Sequence, residues 1–265
     1  VIAVVRAEWL KLRTTAVPWV LTGIALIINA LLILVIFLSP ADQSVVSSGY
    51  EVPHTTQQLR NLVGSGFQGY LLALLLGVLC ITVEFRHKTA TTAFLVTPRR
   101  AVFVGGKLIL AAIAGAVLAV IMLVATMIAG GLTLDARGGS FTAMAHQLPA
   151  VAPGMILVFA LFAILGVGVG SVLTNQVAAI IVVLGWFVIL EGILVSLVHG
   201  AEKWVPSGAA LAASNLTRST GGGPGGPPGV TLGLFNWWEG GLLMLFYGLV
   251  FAAVGSVILS RRDIT

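Results

Sequence analysis

The chain has 265 residues, of which 58% are hydrophobic and only 9% charged, with a mean hydropathy of +1.07 and a formal net charge of +5. Soluble domains carry about 25% charged residues, so this composition excludes an ordinary water-soluble fold. The single cysteine, Cys80, excludes an intrachain disulfide.

Residues 1–16 read as a short amphipathic segment. Ile2, Val5, Trp9 and Leu12 recur at helical spacing, with Arg6, Lys11 and Arg13 on the remaining surface and Glu8 among them. That is the pattern of an interfacial helix, and equally of the basic flank of a first span. Six apolar stretches follow, each long enough for a hydrocarbon core that needs roughly 20 helical residues. They lie near Pro18–Leu38, Val63–Val83, Lys107–Gly130, Val151–Leu173, Val177–Val198 and Gly240–Leu259. Runs this apolar cross as helices, because barrel strands would alternate polar and apolar. The expected fold is an all-α membrane protein with six transmembrane helices, forming one domain over 1–265. The first run is longer than a signal-peptide core, and Phe37-Leu38-Ser39-Pro40 is a poor cleavage site, so it reads as a retained span.

Lysine and arginine placement gives the orientation. One face holds Arg6, Lys11, Arg13, Arg86, Lys88, Arg99, Arg100, Lys107, Arg261 and Arg262; the other holds Arg60, Arg137, Lys203 and Arg218. Ten against four puts both termini in the cytoplasm. A basic inner face also accounts for the net charge without nucleic acid.

Between the second and third spans runs EFRHKTATTAFLVTPRR, Glu84 to Arg100. Ala90, Ala93 and Phe94 fall at i, i+3 and i+4, and Thr97-Pro98 reads as an N-cap with proline at the first helical position. The spacing predicts a short amphipathic helix suited either to the bilayer surface or to a cleft on a partner. Glu84 stands where the second span leaves the membrane. On the opposite face, Lys203–Ser214 within the outer segment 199–239 reads as a short helix or re-entrant element. Gly221–Gly229 is too rich in glycine and proline for regular structure. Thr174-Asn175-Gln176 is a tight turn that makes the fourth and fifth spans an antiparallel pair.

Few residues carry chemistry. Glu191 is the one carboxylate well inside a span, about 21 Å past Val177 at 1.5 Å per residue. An acid there faces a partner or a water-filled cavity. It is a candidate pathway or gate residue, or a structural pair with a polar group of the outer segment such as Lys203 or Arg218. Asn29, mid-span in the first helix, is a second pathway candidate but more often helix–helix glue. Gly166 and Gly170 are spaced for close packing. Gly105-Gly106-Lys107-Leu108 lacks the first glycine and the hydroxyl of a phosphate-binding loop. Val63-Gly64-Ser65-Gly66 has no histidine within a span to act as base, and no metal-ligand spacing occurs, so no catalytic residue and no metal are expected.

The segment Glu84-Phe85-Arg86-His87-Lys88-Thr89 followed by Thr97-Pro98-Arg99-Arg100 resembles the loop between the second and third spans of ABC type-2 exporter permeases. Glu8-Trp9-Leu10-Lys11-Leu12-Arg13 resembles their interfacial helix. One departure is Lys88, where glycine is common in the family. The resemblance implies the permease subunit of an ATP-driven exporter in the bacterial plasma membrane. It would pair with an identical or related chain, and two ABC ATPase subunits would hold the ATP and magnesium. Residues 84–97 would be the coupling helix, with Glu84, Phe85, Arg86, His87, Lys88, Thr89, Ala90, Ala93, Phe94, Arg99 and Arg100 at the ATPase contact. Arg6, Glu8, Trp9, Lys11 and Arg13 would belong to the interfacial helix. The other reading is an ATP-independent secondary transporter or channel, which predicts buried charges or broken helices near the midplane.

Overall fold

The computed structural model describes residues 9–10, 12–38, 56–86, 100–136, 138–173, 175–198, 200–216, 219–220, 230–231 and 235–261. These form α1 (Ala16–Leu38), α2 (Thr56–Val63), α3 (Tyr70–Arg86), α4 (Arg100–Ala136), α5 (Phe141–Ala145), α6 (Leu148–Val172), α7 (Gln176–Leu184), α8 (Glu191–Leu197), α9 (Pro206–Ala213) and α10 (Trp237–Arg261). A two-residue antiparallel pairing, β1 (Ser219–Thr220) with β2 (Val230–Thr231), flanks Gly221–Gly229, which lies outside the described residues.

Among the described residues six helices are long and apolar enough to cross a membrane, so this is a multi-pass membrane protein. They are Ala16–Val35, Gln58–Arg86, Val104–Ala136, Leu148–Val172, Gln176–Leu197 and Trp237–Gly255, against the six expected stretches. The second and third are longer than expected because polar turns continue the helix beyond the apolar core. Two spans are composite. The second passes from α2 to α3 through a 3-10 segment at Gly64–Gly69, and the fifth passes from α7 to α8 through a π segment at Gly185–Leu190.

The fourth span, α6, is the hub. It packs against α3, α4 and α10 and is the most buried span at 67%, whereas the first and fifth are 17% buried. Its glycines explain this. A Cβ on Gly166 would strike the Leu74 carbonyl, and one on Gly170 would crowd Ile81 and Val78. From the other side a Cβ on Gly77 would strike the Ala163 carbonyl. Without hydrophobic drive between helices in lipid, such backbone approach is how van der Waals contact holds them. Gly168 and Gly255 serve α6 and α10 in the same way, against Phe251 and Ser171.

The fifth span is held mainly along one stripe. Ala179, Val183 and Glu191 are buried and Phe187 half-buried, each four residues after the last. Four-residue steps overrun a 3.6-residue turn by about 40° each, so the stripe would drift off the core in a pure α-helix. The wider i→i+5 turns of the π segment bring it back. Phe187 then joins the rings of Phe162 (5.6 Å) and Tyr70 (6.3 Å), while Tyr70 stacks on Phe162 at 4.4 Å.

Gly77→Leu is expected to destabilise the protein by about 3 kcal/mol or more, since overpacking against backbone has no side chain to yield. Gly192→Ala, with nothing within 4 Å of its would-be Cβ, is expected to be benign. Thermal unfolding of both variants in one detergent checks this.

Candidate functional site

Among the described residues, three main groups of polar side chains interrupt the apolar interior, at one end, near the middle and toward the other end of the helix stack.

The first closes the base of the 87–99 segment. Glu84 leaves α3 and Lys107 leaves α4 on the facing side. Lys107 Nζ donates to Glu84 Oε1 at 3.0 Å and to the Cys80 carbonyl at 2.8 Å. The lysine is fully buried and the glutamate 6% exposed. Lys107 is therefore not one of the surface charges of the basic face, and Glu84 is not a carboxylate solvated at the membrane border. Glu84 therefore makes an ion pair within the chain, through its Oε1. One turn before Lys107, Val104 is also buried.

Phe85 is partly buried against the core, and exposed Arg86 donates to Gln176 Oε1 at 3.2 Å, joining the end of α3 to the start of α7. Asn175 caps α7 by accepting from the Val177 and Ala178 amides, which sharpens the turn between the fourth and fifth spans. His87, Lys88, Thr89, Ala90, Ala93, Phe94 and Arg99 lie outside the described residues, as does the expected helix that they would form; Arg100 opens α4. Arg6, Glu8 and Lys11 also lie outside them. Trp9, Leu10 and Leu12–Thr14 are helical, with Trp9 and Arg13 exposed.

The second group sits mid-stack. Asn29 Nδ2 donates to Thr126 Oγ1 at 2.9 Å, and Ser65 Oγ donates to Asn29 Oδ1 at 3.4 Å. Asn29 thereby links α1, α4 and the 3-10 segment, and is 2% exposed. Its surroundings are those of an interhelical tie, of the kind that contributes about 0.6 kcal/mol on average.

The third group explains Glu191. Its Oε1 accepts the Ser207 amide at 2.8 Å, and the residue is 3% exposed. Pro206 and Ser207 open α9, so the carboxylate caps a helix N-terminus, where amides lack intrahelical partners and a negative charge is favoured. Glu191 is thus paired with a polar group of the outer segment, the Ser207 amide; Arg218 lies outside the described residues. Glu191 lies six residues, about 9 Å, below the end of α8. Independently, Tyr247 donates from its hydroxyl to the Trp204 carbonyl at 2.5 Å, ten residues or about 15 Å along α10. These two contacts draw the start of α9 inward between the flanking helices. The element is built of small residues for that purpose. A Cβ on Gly240 would meet the Ala209 carbonyl, and one on Gly154 the Ala213 carbonyl. Asn215, at φ 56°, closes α9, with the Leu216 amide returning to the Leu211 carbonyl and the Asn215 amide to Ala212.

Lys107, Thr126, Ser65 and Ser207 are the partners that sequence reasoning missed. Only Lys107 left a signal, as a cation at the head of an apolar run. Among the described residues no group of three His, Cys, Asp or Glu gathers as a metal site. Comparison of the chain with family models, curated proteins and solved structures finds no match.

Lys107→Met or Glu84→Gln alone should each cost about 3–5 kcal/mol by leaving one buried partner uncompensated, while the double variant should recover most of the loss. A double-mutant cycle on unfolding midpoints measures the coupling. Glu191→Leu should cost about 1–3 kcal/mol through the orphaned Ser207 amide, whereas Glu191→Gln, which keeps an acceptor, should be nearly neutral. Equal losses in the two Glu191 variants would show that charge, not the cap, is what matters there.

Proposed function

We propose that this chain is the permease subunit of an ATP-driven exporter of the ABC type-2 kind, working as a dimer in the plasma membrane of a bacterium. Both ends of the chain face the cytoplasm. The ATP and magnesium are held by two separate ATPase subunits. One observation carries the reading. The cationic segment 87–99 joins two helices whose ends are locked to one another by the buried Glu84–Lys107 pair. A force applied to that segment moves α3 and α4 together. Because α3 touches α6 backbone to backbone, the displacement passes to the hub of the bundle without a compliant side chain between. The likeness of Glu84–Thr89 and Thr97–Arg100 to the permease loop supports the same assignment.

In this mechanism Glu84 and Lys107 are the base of the coupling element, while Phe94, Arg99 and Arg100 meet the ATPase. ATPase closure pushes the paired segments and tilts the two permease chains, exchanging an inner opening for an outer one along a mostly apolar pathway. Such walls suit lipid-like, peptide or drug-like cargo. The element from Ala201 to Ala213 works as a re-entrant plug that lines the outer end, held at its tip by Glu191 and Tyr247. The buried Glu191 and the π segment beside it also favour a second reading, an ATP-independent transporter, since irregular turns and buried acids mark ion-coupled sites.

Affinity purification from the native membrane in mild detergent, followed by mass spectrometry, separates the two. The exporter reading expects a co-purifying ATPase, one per permease chain, that Phe94→Asp releases while the permease stays inserted. Reproducible absence of any ATPase supports the second reading and leaves segment 87–99 without its proposed role.

A further inference from the structure

A groove of about 300 Å³ opens beside the Trp9–Arg13 segment, between α1, α3 and α4. Its wall is apolar and includes Leu76 of α3 and Val117 and Ile121 of α4. Among the described residues Arg13 is the one charged residue of the lining, at the mouth, beside Trp9 and Trp19. Along α4 the lining runs from Ala114 to Ile121, about 11 Å at 1.5 Å per residue. That is most of one leaflet of a hydrocarbon core about 30 Å thick.

We infer that this groove is a binding site for one anionic phospholipid of the cytoplasmic leaflet, with its acyl chain between α1 and α4 and its phosphate on Arg13. The leaflet assignment rests on the orientation given under the proposed function; the ligand chemistry does not. Three observations favour lipid over a second copy of the chain. First, α1 is among the least buried spans, so the groove faces the bilayer. Secondly, a guanidinium at the mouth of an apolar slot one leaflet deep matches a molecule with a phosphate above a hydrocarbon tail. Among the described residues no carboxylate of the chain lies within ion-pair reach of Arg13, so no acid of its own competes with a phosphate there. Thirdly, the mouth is held in shape. Trp19 Nε1 donates to the Arg13 carbonyl at 3.3 Å, and Thr14 Oγ1 donates to the Leu10 carbonyl at 2.8 Å, fixing the turn that presents the guanidinium. Trp9 and Trp19 are 43% and 64% exposed, as interfacial tryptophans flanking a headgroup should be.

The test uses the full chain in vesicles, with Trp186, Trp204, Trp237 and Trp238 replaced by phenylalanine so that only Trp9 and Trp19 fluoresce. Quenching by phosphatidylglycerol brominated on its acyl chains is compared with that by brominated phosphatidylcholine at the same mole fraction. The expected apparent affinity is roughly fivefold higher for the anionic lipid, the equivalent of about 1 kcal/mol per basic residue at an anionic surface. Arg13→Gln should abolish the excess, and Arg13→Lys should restore most of it, with unfolding midpoints unchanged in both. Equal quenching by the two lipids overturns the site, and so does an excess that survives Arg13→Gln. Quenching no greater than that of a free tryptophan analogue in the same bilayer means that protein fills the groove, and also overturns it. Orientation is read separately. Thr14→Cys in a Cys80→Ser background should react with an impermeant maleimide only after right-side-out vesicles are opened; reaction in sealed vesicles overturns the leaflet assigned here.

Discussion

The approach of the α3 and α6 backbones at Gly77, Gly166 and Gly170 is the constraint on which the rest of the bundle depends. In water a hydrophobic face drives helices together, but lipid tails offer the same apolar surroundings as a leucine side chain. What remains is contact density, and small residues raise it by removing the side chains that hold axes apart. Once α3 lies against α6, the other neighbours of α6 follow. α4 meets it where a Cβ on Gly115 would strike the Phe159 carbonyl, and α10 where Gly168 and Gly255 open space. The first and fifth spans have less of this contact and correspondingly more exposed surface.

The three main buried polar groups described in this frame have partners that are local and specific. Lys107 meets Glu84, Asn29 meets Thr126 and Ser65, and Glu191 meets the amide of Ser207. The ties differ in kind because their surroundings differ. Two opposite charges neutralise each other where the helices leave the stack, amide and hydroxyls suffice in the middle, and a carboxylate caps α9 near the other end. A charge left alone at any of these levels would cost several kcal/mol, so the pairs fix which helix faces which. They give specificity of arrangement to helices whose apolar surfaces are nearly interchangeable.

The same arrangement gives the proposed transport cycle its mechanical logic. A segment bridging two helices transmits motion only if its ends cannot slide independently, and the Glu84–Lys107 pair provides that restraint. The groove beside Arg13 lies between α1 and α4, so a seated phospholipid would make the bilayer part of the bundle's packing at that end.

Composition and apolar run length were enough to read six helical spans, because backbone desolvation leaves a chain this apolar no other way to cross. The tight turn at Asn175 and the small-residue character of Gly166 and Gly170 were equally legible, being local properties of short stretches. The partners of Glu84 and Glu191 were not. Each is a contact between helices, Lys107 lying 23 and Ser207 16 positions away, and a sequence does not show which faces of two spans meet. Nor did it show the π segment, whose purpose is to keep Phe187 and Glu191 on one line against neighbours that only the folded bundle supplies. The sequence by itself determined that the chain lives in a membrane and where its six apolar stretches lie; the tertiary structure decided which buried charges hold one another, because that depends on the rotation of each helix about its own axis.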